Sequence, residues 1–144
     1  MEQARNAYED MVVSYIDILG FVKLLESKNP EDISKIINTF NAFKNLSEYA
    51  HKTGDTNKDI FNSVSISDCV IRLTRIPPDT DYKTVLEAEI RALGSIQLKL
   101  LDYKIALRGA ISFGKMFFSH DNRKVSFFGP AYIKAYKLES ESAV

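Results

Sequence analysis

Residues 12–21 read VVSYIDILGF, and this segment decides the fold prediction. Its Val, Ile and Tyr residues favour a buried strand over residues 11–19, which Gly20 closes before a short helix expected over residues 21–27. Asp17 lies inside this apolar run, where a carboxylate costs free energy unless a cation or a hydrogen-bond donor meets it. The segment therefore predicts a strand whose carboxylate has a partner or a function.

A second aspartate has the same setting, because residues 65–71 read SISDCVI and include Asp68. If the two strands are neighbours, the two carboxylates supply the hard oxygen ligands that divalent metal ions prefer. Metal ions held there would present a polyphosphate for chemistry. Each aspartate also has a plain structural explanation. Asp17 can cap the following helix or pair with Arg108, and Asp68 can be a turn residue of a hairpin.

Outward from this segment, strands and helices alternate without repeats. Asn29 and Pro30 are typical of a helix start, and an apolar stripe at helical spacing extends that helix to about Tyr49. The remaining predicted elements follow in chain order: a loop at 51–59, two strands within 60–75, a long helix capped by Pro77-Pro78-Asp79, strands at 104–118 and 124–128 joined by a turn at 119–122, and a last helix from Gly129-Pro130 to about Glu139. This order predicts an α+β domain of the ferredoxin-like (split βαβ) kind, with a mostly antiparallel sheet and helices packed on one face.

The composition is that of one soluble globular domain covering residues 1–144. The chain is 45% hydrophobic and 26% charged; no apolar run reaches membrane-spanning length, and the opening residues lack a secretory signal. Its single cysteine, Cys69, excludes an intramolecular disulfide, so a reducing, cytoplasmic setting is expected. The two histidines are too isolated for a zinc site. Neither a membrane nor a nucleic acid is an expected partner.

The charges are unevenly distributed, although the formal net charge is zero. Residues 101–144 contain seven Lys and Arg against four Asp and Glu. A basic region suits a phosphate ligand, but a solvated lysine-rich face is the commoner explanation.

Four short segments resemble, in order, the catalytic domain of class III nucleotide cyclases: YIDILGF at 15–21, ISDC at 66–69, RGAISFG at 108–114 and FFGPA at 127–131. They are most similar to the bacterial branch that includes the pyrimidine cyclases of anti-phage signalling. The resemblance covers nearly the whole chain. It implies that a homodimer, with its active sites between the subunits, converts a nucleoside triphosphate to a 3′,5′-cyclic monophosphate and pyrophosphate.

The resemblance also gives the matched positions their roles. It implies that Asp17, Asp68 and the backbone carbonyl of Ile18 bind two Mg²⁺ or Mn²⁺ ions, which activate the ribose 3′-hydroxyl and neutralise the triphosphate. The turn at Gly20 and Phe21 would offer backbone N–H groups to the phosphates.

Several positions depart from the family's pattern. The residues that would read the base fall at Asn62 and Ser126, in place of the family's adenine-reading Lys and Asp, and they suit several bases, pyrimidines included. The family's transition-state Asn and Arg fall at Ile133 and Lys137, and Lys is the weaker match for phosphoryl charge. The cations that could replace the missing donors are Arg108, Lys115, Lys134 and Lys137.

Two other functions are compatible with these residues. A nucleotide-binding or dimerisation module would keep the fold and the metal pair without turnover, and Ile133 favours it. A structural domain without a ligand would need protein partners for both aspartates. The family's domain usually continues into further strands after the last helix, so the resemblance leaves three alternatives for this chain: truncation at its C-terminus, a short gene product or a fragment.

Overall fold

The computed structural model describes residues 7–43, 61–121 and 124–142. Within those ranges no helix combines the length and hydropathy that a membrane crossing needs. The strands and helices of these ranges are, in chain order, β1 Glu9–Leu19, α1 Phe21–Glu26, α2 Pro30–Phe43, β2 Phe61–Ile66, β3 Cys69–Arg75, α3 Tyr82–Leu101, β4 Ala106–Asp121, β5 Lys124–Phe128 and α4 Pro130–Ser142.

The strands form one sheet in the order β2-β3-β1-β4-β5, and every neighbouring pair is antiparallel. β3 lies between β1 and β2, which therefore run parallel to each other, and β1 separates β3 from β4 in the same way. This is the split βαβ arrangement. The predicted α+β class and ferredoxin-like sheet are confirmed.

The sequence predicts helices on one face of the sheet, but helices cover both faces. Successive side chains of a strand point to opposite faces. On β1, Ile16 and Ile18 pack in a core with residues of α1, α2 and α3. Met11 and Val13 pack instead in a second core with Ala135 of α4. The split βαβ part keeps its helices on one face, and α4 is an addition that buries the other.

A buried ion pair joins the first helical layer to the sheet. Arg72 of β3 and Glu89 of α3 are almost completely buried. Arg72 donates from Nε and Nη2 to the two carboxylate oxygens of Glu89, at 2.7 and 3.1 Å. The Ser14 hydroxyl donates to the same carboxylate at 2.9 Å, and Arg72 Nη1 donates to the Phe43 carbonyl at 2.9 Å. This network connects β1, β3, α3 and the end of α2.

The start of α2 is as predicted, because the Asn29 side chain accepts a hydrogen bond from the Glu31 N–H at 3.1 Å. The predicted extension of this helix to Tyr49 and the loop at 51–59 lie outside the described residues.

Two later boundaries differ from the prediction. The N-cap of α3 is Asp81, which accepts from the Lys83 N–H at 3.0 Å, and not Asp79. β4 continues to Asp121, through most of the turn expected at residues 119–122. Residues 122–123 lie outside the described part of the chain.

Candidate functional site

The ends of two neighbouring strands bring the two aspartates together. Asp17 is paired in the β1–β3 ladder with Cys69, the residue directly after Asp68. The Ile18 N–H donates to the Asp68 carbonyl oxygen at 3.0 Å. Because the N–H and C=O of one strand residue project to the same side, the Ile18 carbonyl also points towards Asp68. Two aspartates and one backbone carbonyl thus share one end of the sheet.

Asp68 is held in the tight turn between β2 and β3. The last pair of that ladder is Ile66 with Cys69, so the turn consists of Ser67 and Asp68 alone. Ser67 has a φ of 56°, in the left-handed region that residues with a Cβ seldom adopt. The plain explanation of Asp68 as a turn residue is therefore correct for its position. Such strain often accompanies functional sites, and a turn position leaves the carboxylate available as a ligand.

Asp17 has a cationic partner. Its Oδ2 accepts a hydrogen bond from Arg108 Nη2 at 2.9 Å, which is the pairing considered from the sequence. It does not cap α1, because Gly20 is the N-cap of that helix. The side chains of Arg108 and Asp17 are 44% and 24% exposed, and a contact of that exposure contributes little to stability. The pair is weak enough for a ligand to displace it.

Glu139 completes this cluster, although the sequence does not predict it. Arg108 Nε donates to its Oε1 at 2.9 Å. Glu139 lies on the same buried stripe of α4 as Ala135 and Ala131, which are four and eight positions earlier. No local pattern marks Glu139 as buried, because its burial depends on how α4 packs against the sheet.

Two uncharged polar side chains lie beside Asp17 on the same face. A hydrogen bond with the Cys69 thiol, together with burial, raises the pKa of Tyr15 well above its usual value. Burial raises the pKa of Cys69, and the nearby carboxylates of Asp17 and Asp68 raise it further. Both groups stay protonated near neutral pH, so the carboxylates and Arg108 set the charge of the site.

The oxygen atoms at this end of the sheet suit a metal ion that is coordinated partly by the protein and partly by the phosphates of a nucleotide. Within residues 7–43, 61–121 and 124–142, no three or more His, Cys, Asp or Glu side chains group as a metal site. Mg²⁺ seldom needs such a cage, because it is usually held by one or two carboxylates, with water and substrate phosphates completing the octahedron. Asp17, Asp68 and the Ile18 carbonyl are hard oxygen donors of this kind.

The start of α1 lies next to the same end of the sheet. Gly20 has a φ of 74° and no side chain caps the first turn of α1. Phe21 is buried and packs in the core with Phe43, so its side chain anchors the turn. Backbone N–H groups of this turn remain available as donors.

The two lysines predicted as phosphate-binding candidates on α4 do not face Asp17 and Asp68. Lys134 and Lys137 are exposed on the outer side of α4, away from its buried stripe. With Ile133 and Leu138 they line a shallow groove of about 450 Å³. The structure therefore does not bring Lys137 to the aspartates of its own chain. Lys115, a further candidate, pairs with Asp10 at 3.0 Å.

The predicted base-reading positions lie towards the other end of the sheet. Asn62 is paired with Leu73, four positions along β3 from Cys69, which corresponds to roughly 13 Å. Ser126 is paired with Ser119 in the β4–β5 hairpin. The centroid of the Phe118 ring in this hairpin lies 5.8 Å from the guanidinium carbon of Arg75 on β3.

Comparisons with known proteins agree with the fold. No family model matches the chain, and no curated protein matches it in sequence. The crystal structure of the adenylyl cyclase CyaB from P. aeruginosa superposes with a TM-score of 0.68 at 20% identity, over 93% of this chain and 72% of that one. A bacterial light-regulated adenylyl cyclase superposes with a TM-score of 0.60 at 17% identity, over 94% of this chain and 40% of that one. The chain has a fold found in bacterial adenylyl cyclases.

Proposed function

We propose that this chain is a nucleotide cyclase, which converts a nucleoside triphosphate to its 3′,5′-cyclic monophosphate and pyrophosphate. The observation that carries the proposal is the placement of Asp17, Asp68 and the Ile18 carbonyl at one end of the sheet, in a fold that bacterial adenylyl cyclases share. Oxygen donors at that position suit a metal-bound triphosphate.

The chain's own residues hold and orient the substrate. Asp17, Asp68 and the Ile18 carbonyl would hold two Mg²⁺ or Mn²⁺ ions. When bound, such ions lower the pKa of the ribose 3′-hydroxyl and neutralise charge on the leaving pyrophosphate. The Gly20–Phe21 turn donates backbone N–H groups to phosphate oxygens, and the Arg108 guanidinium adds positive charge beside them. These groups act by positioning and charge compensation rather than by covalent chemistry.

The complete site requires two copies of the chain. Lys137 lies on the outer side of α4 and Asn62 lies towards the far end of the sheet from Asp17. One chain therefore does not assemble all the proposed groups by itself. A symmetric homodimer would place Lys137, Asn62 and Ser126 of one chain opposite the metal-binding residues of the other, twice. Exposed apolar residues beside Lys137, namely Ile133, Tyr136 and Leu138, suit such an interface.

The identity of the nucleobase in the substrate is a more specific part of the proposal. Asn62 and Ser126 each donate and accept hydrogen bonds, which suits a pyrimidine better than the Lys and Asp pair that reads adenine in the family. We extend the proposal to a cytoplasmic pyrimidine cyclase of anti-phage signalling on the sequence resemblance alone.

A binding module without turnover is the second candidate. Ile133 supports it, because a side chain without polar atoms stands where the family has its transition-state Asn. The Asp17–Arg108 pair also supports it, since an aspartate with a protein partner is stable without metal.

The test is product formation from ATP, GTP, CTP and UTP with Mn²⁺, with cyclic nucleotide resolved from simple hydrolysis. One triphosphate should give cyclic product, and Asp17→Asn and Asp68→Asn should abolish it. Binding of a triphosphate without any product from the wild type would favour the binding module.

A further inference from the structure

Arg108 stands between two carboxylates, one of which belongs to the proposed metal site. Its Nη2 donates to Asp17 Oδ2 at 2.9 Å and its Nε donates to Glu139 Oε1 at 2.9 Å. We infer that Glu139 is a positioning residue, which holds the Arg108 guanidinium and thereby sets the affinity of the Asp17–Asp68 site for divalent cations. This inference rests on the proposed function.

The two contacts of Arg108 differ in burial. The Glu139 side chain is 8% exposed, whereas the Asp17 side chain is 24% exposed. A buried carboxylate that loses its partner is costly, while a partly exposed ion pair separates easily. The hydrogen bond from Arg108 Nε to Glu139 is therefore expected to persist when a cation binds. The hydrogen bond from Arg108 Nη2 to Asp17 is the one that a cation displaces. Because the same guanidinium makes both contacts, Glu139 fixes how strongly Arg108 competes for Asp17.

Arg108 opposes the binding of a divalent cation at Asp17 in two ways. The cation competes with Nη2 for the carboxylate oxygen, and it is repelled by the guanidinium charge. Glu139 opposes both effects, since it shares the guanidinium and offsets its charge. Without the Glu139 carboxylate, the Arg108 guanidinium pairs with Asp17 alone and its charge is no longer offset, so it opposes cation binding more strongly. Without Arg108, the Asp17 carboxylate has no guanidinium to compete with the cation. The two substitutions should therefore change cation affinity in opposite directions.

The experiment measures Mn²⁺ binding to the full chain without nucleotide, by electron paramagnetic resonance at pH 7.5. Glu139→Gln should weaken binding and Arg108→Gln should tighten it, each by about threefold to tenfold, the size expected for one charge a few ångströms from a divalent ion in a solvated site. Asp17→Asn should abolish the saturable binding. The double variant Arg108→Gln/Glu139→Gln should bind like Arg108→Gln, because Glu139 acts through Arg108.

The chain offers a matched control pair. Glu87 and Arg91 form an exposed ion pair on α3, on the other side of the sheet. Glu87→Gln and Arg91→Gln make the same charge changes there and should leave Mn²⁺ affinity unchanged, since exposed charges at long range are screened. Circular dichroism checks that each variant is folded. If Glu139→Gln does not fold, Arg108→Gln with its control still tests the competition.

The outcomes separate the inference from the proposed function. Absence of saturable, Asp17-dependent Mn²⁺ binding in the wild type would overturn the inference, while the proposed function is tested separately by cyclic product formation from a metal-bound triphosphate. Binding by the wild type that Arg108→Gln fails to tighten would overturn the inference and leave the metal site standing. The inference would also be overturned if Glu139→Gln weakened Mn²⁺ binding as much in the Arg108→Gln variant as in the wild type, because Glu139 would then act without Arg108.

Discussion

Arg72 and Glu89 form an ion pair whose side chains are 0% and 1% exposed. Removing one partner of such a pair leaves an uncompensated buried charge, so Glu89→Gln should destabilise the chain by about 3–5 kcal/mol. Urea unfolding followed by circular dichroism measures this free energy.

The exposed Glu87–Arg91 pair on α3 is the control for that substitution. Glu87→Gln should cost less than about 1 kcal/mol, because an exposed ion pair contributes little to stability. Equal losses from Glu87→Gln and Glu89→Gln would contradict the special role given to the buried pair.

Two glycines give a second prediction about single residues. A Cβ built on Gly109 would lie 2.4 Å from the Tyr15 carbonyl oxygen, whereas one on Gly94 meets nothing within 4 Å. Gly109→Ala should therefore destabilise the chain by about 2 kcal/mol or more. Gly94→Ala, in the middle of α3, should stabilise it by about 0.5–1 kcal/mol. Thermal unfolding compares the two, and equal effects would show that Gly109 does not pack closely on β1.

For single residues, the sequence identifies candidate ligands better than it predicts which side chains are in contact. Asp17 and Asp68 stand out because carboxylates are rare in strand-forming runs, and the adjacency expected of their strands is observed. Their role as metal ligands stays a prediction. Glu139 and Glu89 are missed because each is one carboxylate on a charged helix, where burial depends on tertiary packing that no local pattern encodes.

The β2–β3 turn holds one of its residues in a conformation that this residue type seldom adopts. Ser67 has a positive φ, which costs a residue with a Cβ about 1–2 kcal/mol. Ser67→Gly should relieve this cost, less about 0.4–1 kcal/mol for the greater freedom of glycine in the unfolded chain. We expect a net gain in the free energy of unfolding of up to about 1.5 kcal/mol, measured by denaturant unfolding. A clear loss of stability would mean that the Ser67 side chain makes a contact worth more than the strain.

Element types are predicted better than their ends. The local sequence predicts Asn29 as a cap, and its side chain makes the expected hydrogen bond. The sequence predicts the cap of α3 at Asp79, whereas the structure has it at Asp81, because both positions are acceptable helix starts in the sequence. β4 extends to Asp121 because the long hairpin with β5 pairs residues that resemble turn formers.

The whole fold follows from the order of its elements, apart from the side on which α4 packs. Met11, Val12, Val13 and Ser14 are buried consecutively, and such a run is typical of a strand covered on both faces. The sequence therefore contained the signal for a second helical layer. The sequence of α4 does not predict its packing on the sheet, because the stripe that faces the sheet consists of small alanines and one carboxylate and does not resemble an amphipathic face.

The central claim concerns the whole assembly, since the proposed active site takes its metal-binding aspartates and Lys137 from different chains. Asp17→Asn and Lys137→Ala should each be inactive alone. Mixed after joint refolding, they should recover about a quarter of wild-type cyclic nucleotide formation, because half of the dimers are mixed and each mixed dimer has one intact site of two. No recovery, with mixed dimers present by native mass spectrometry and the wild type active, would contradict a site shared between two chains.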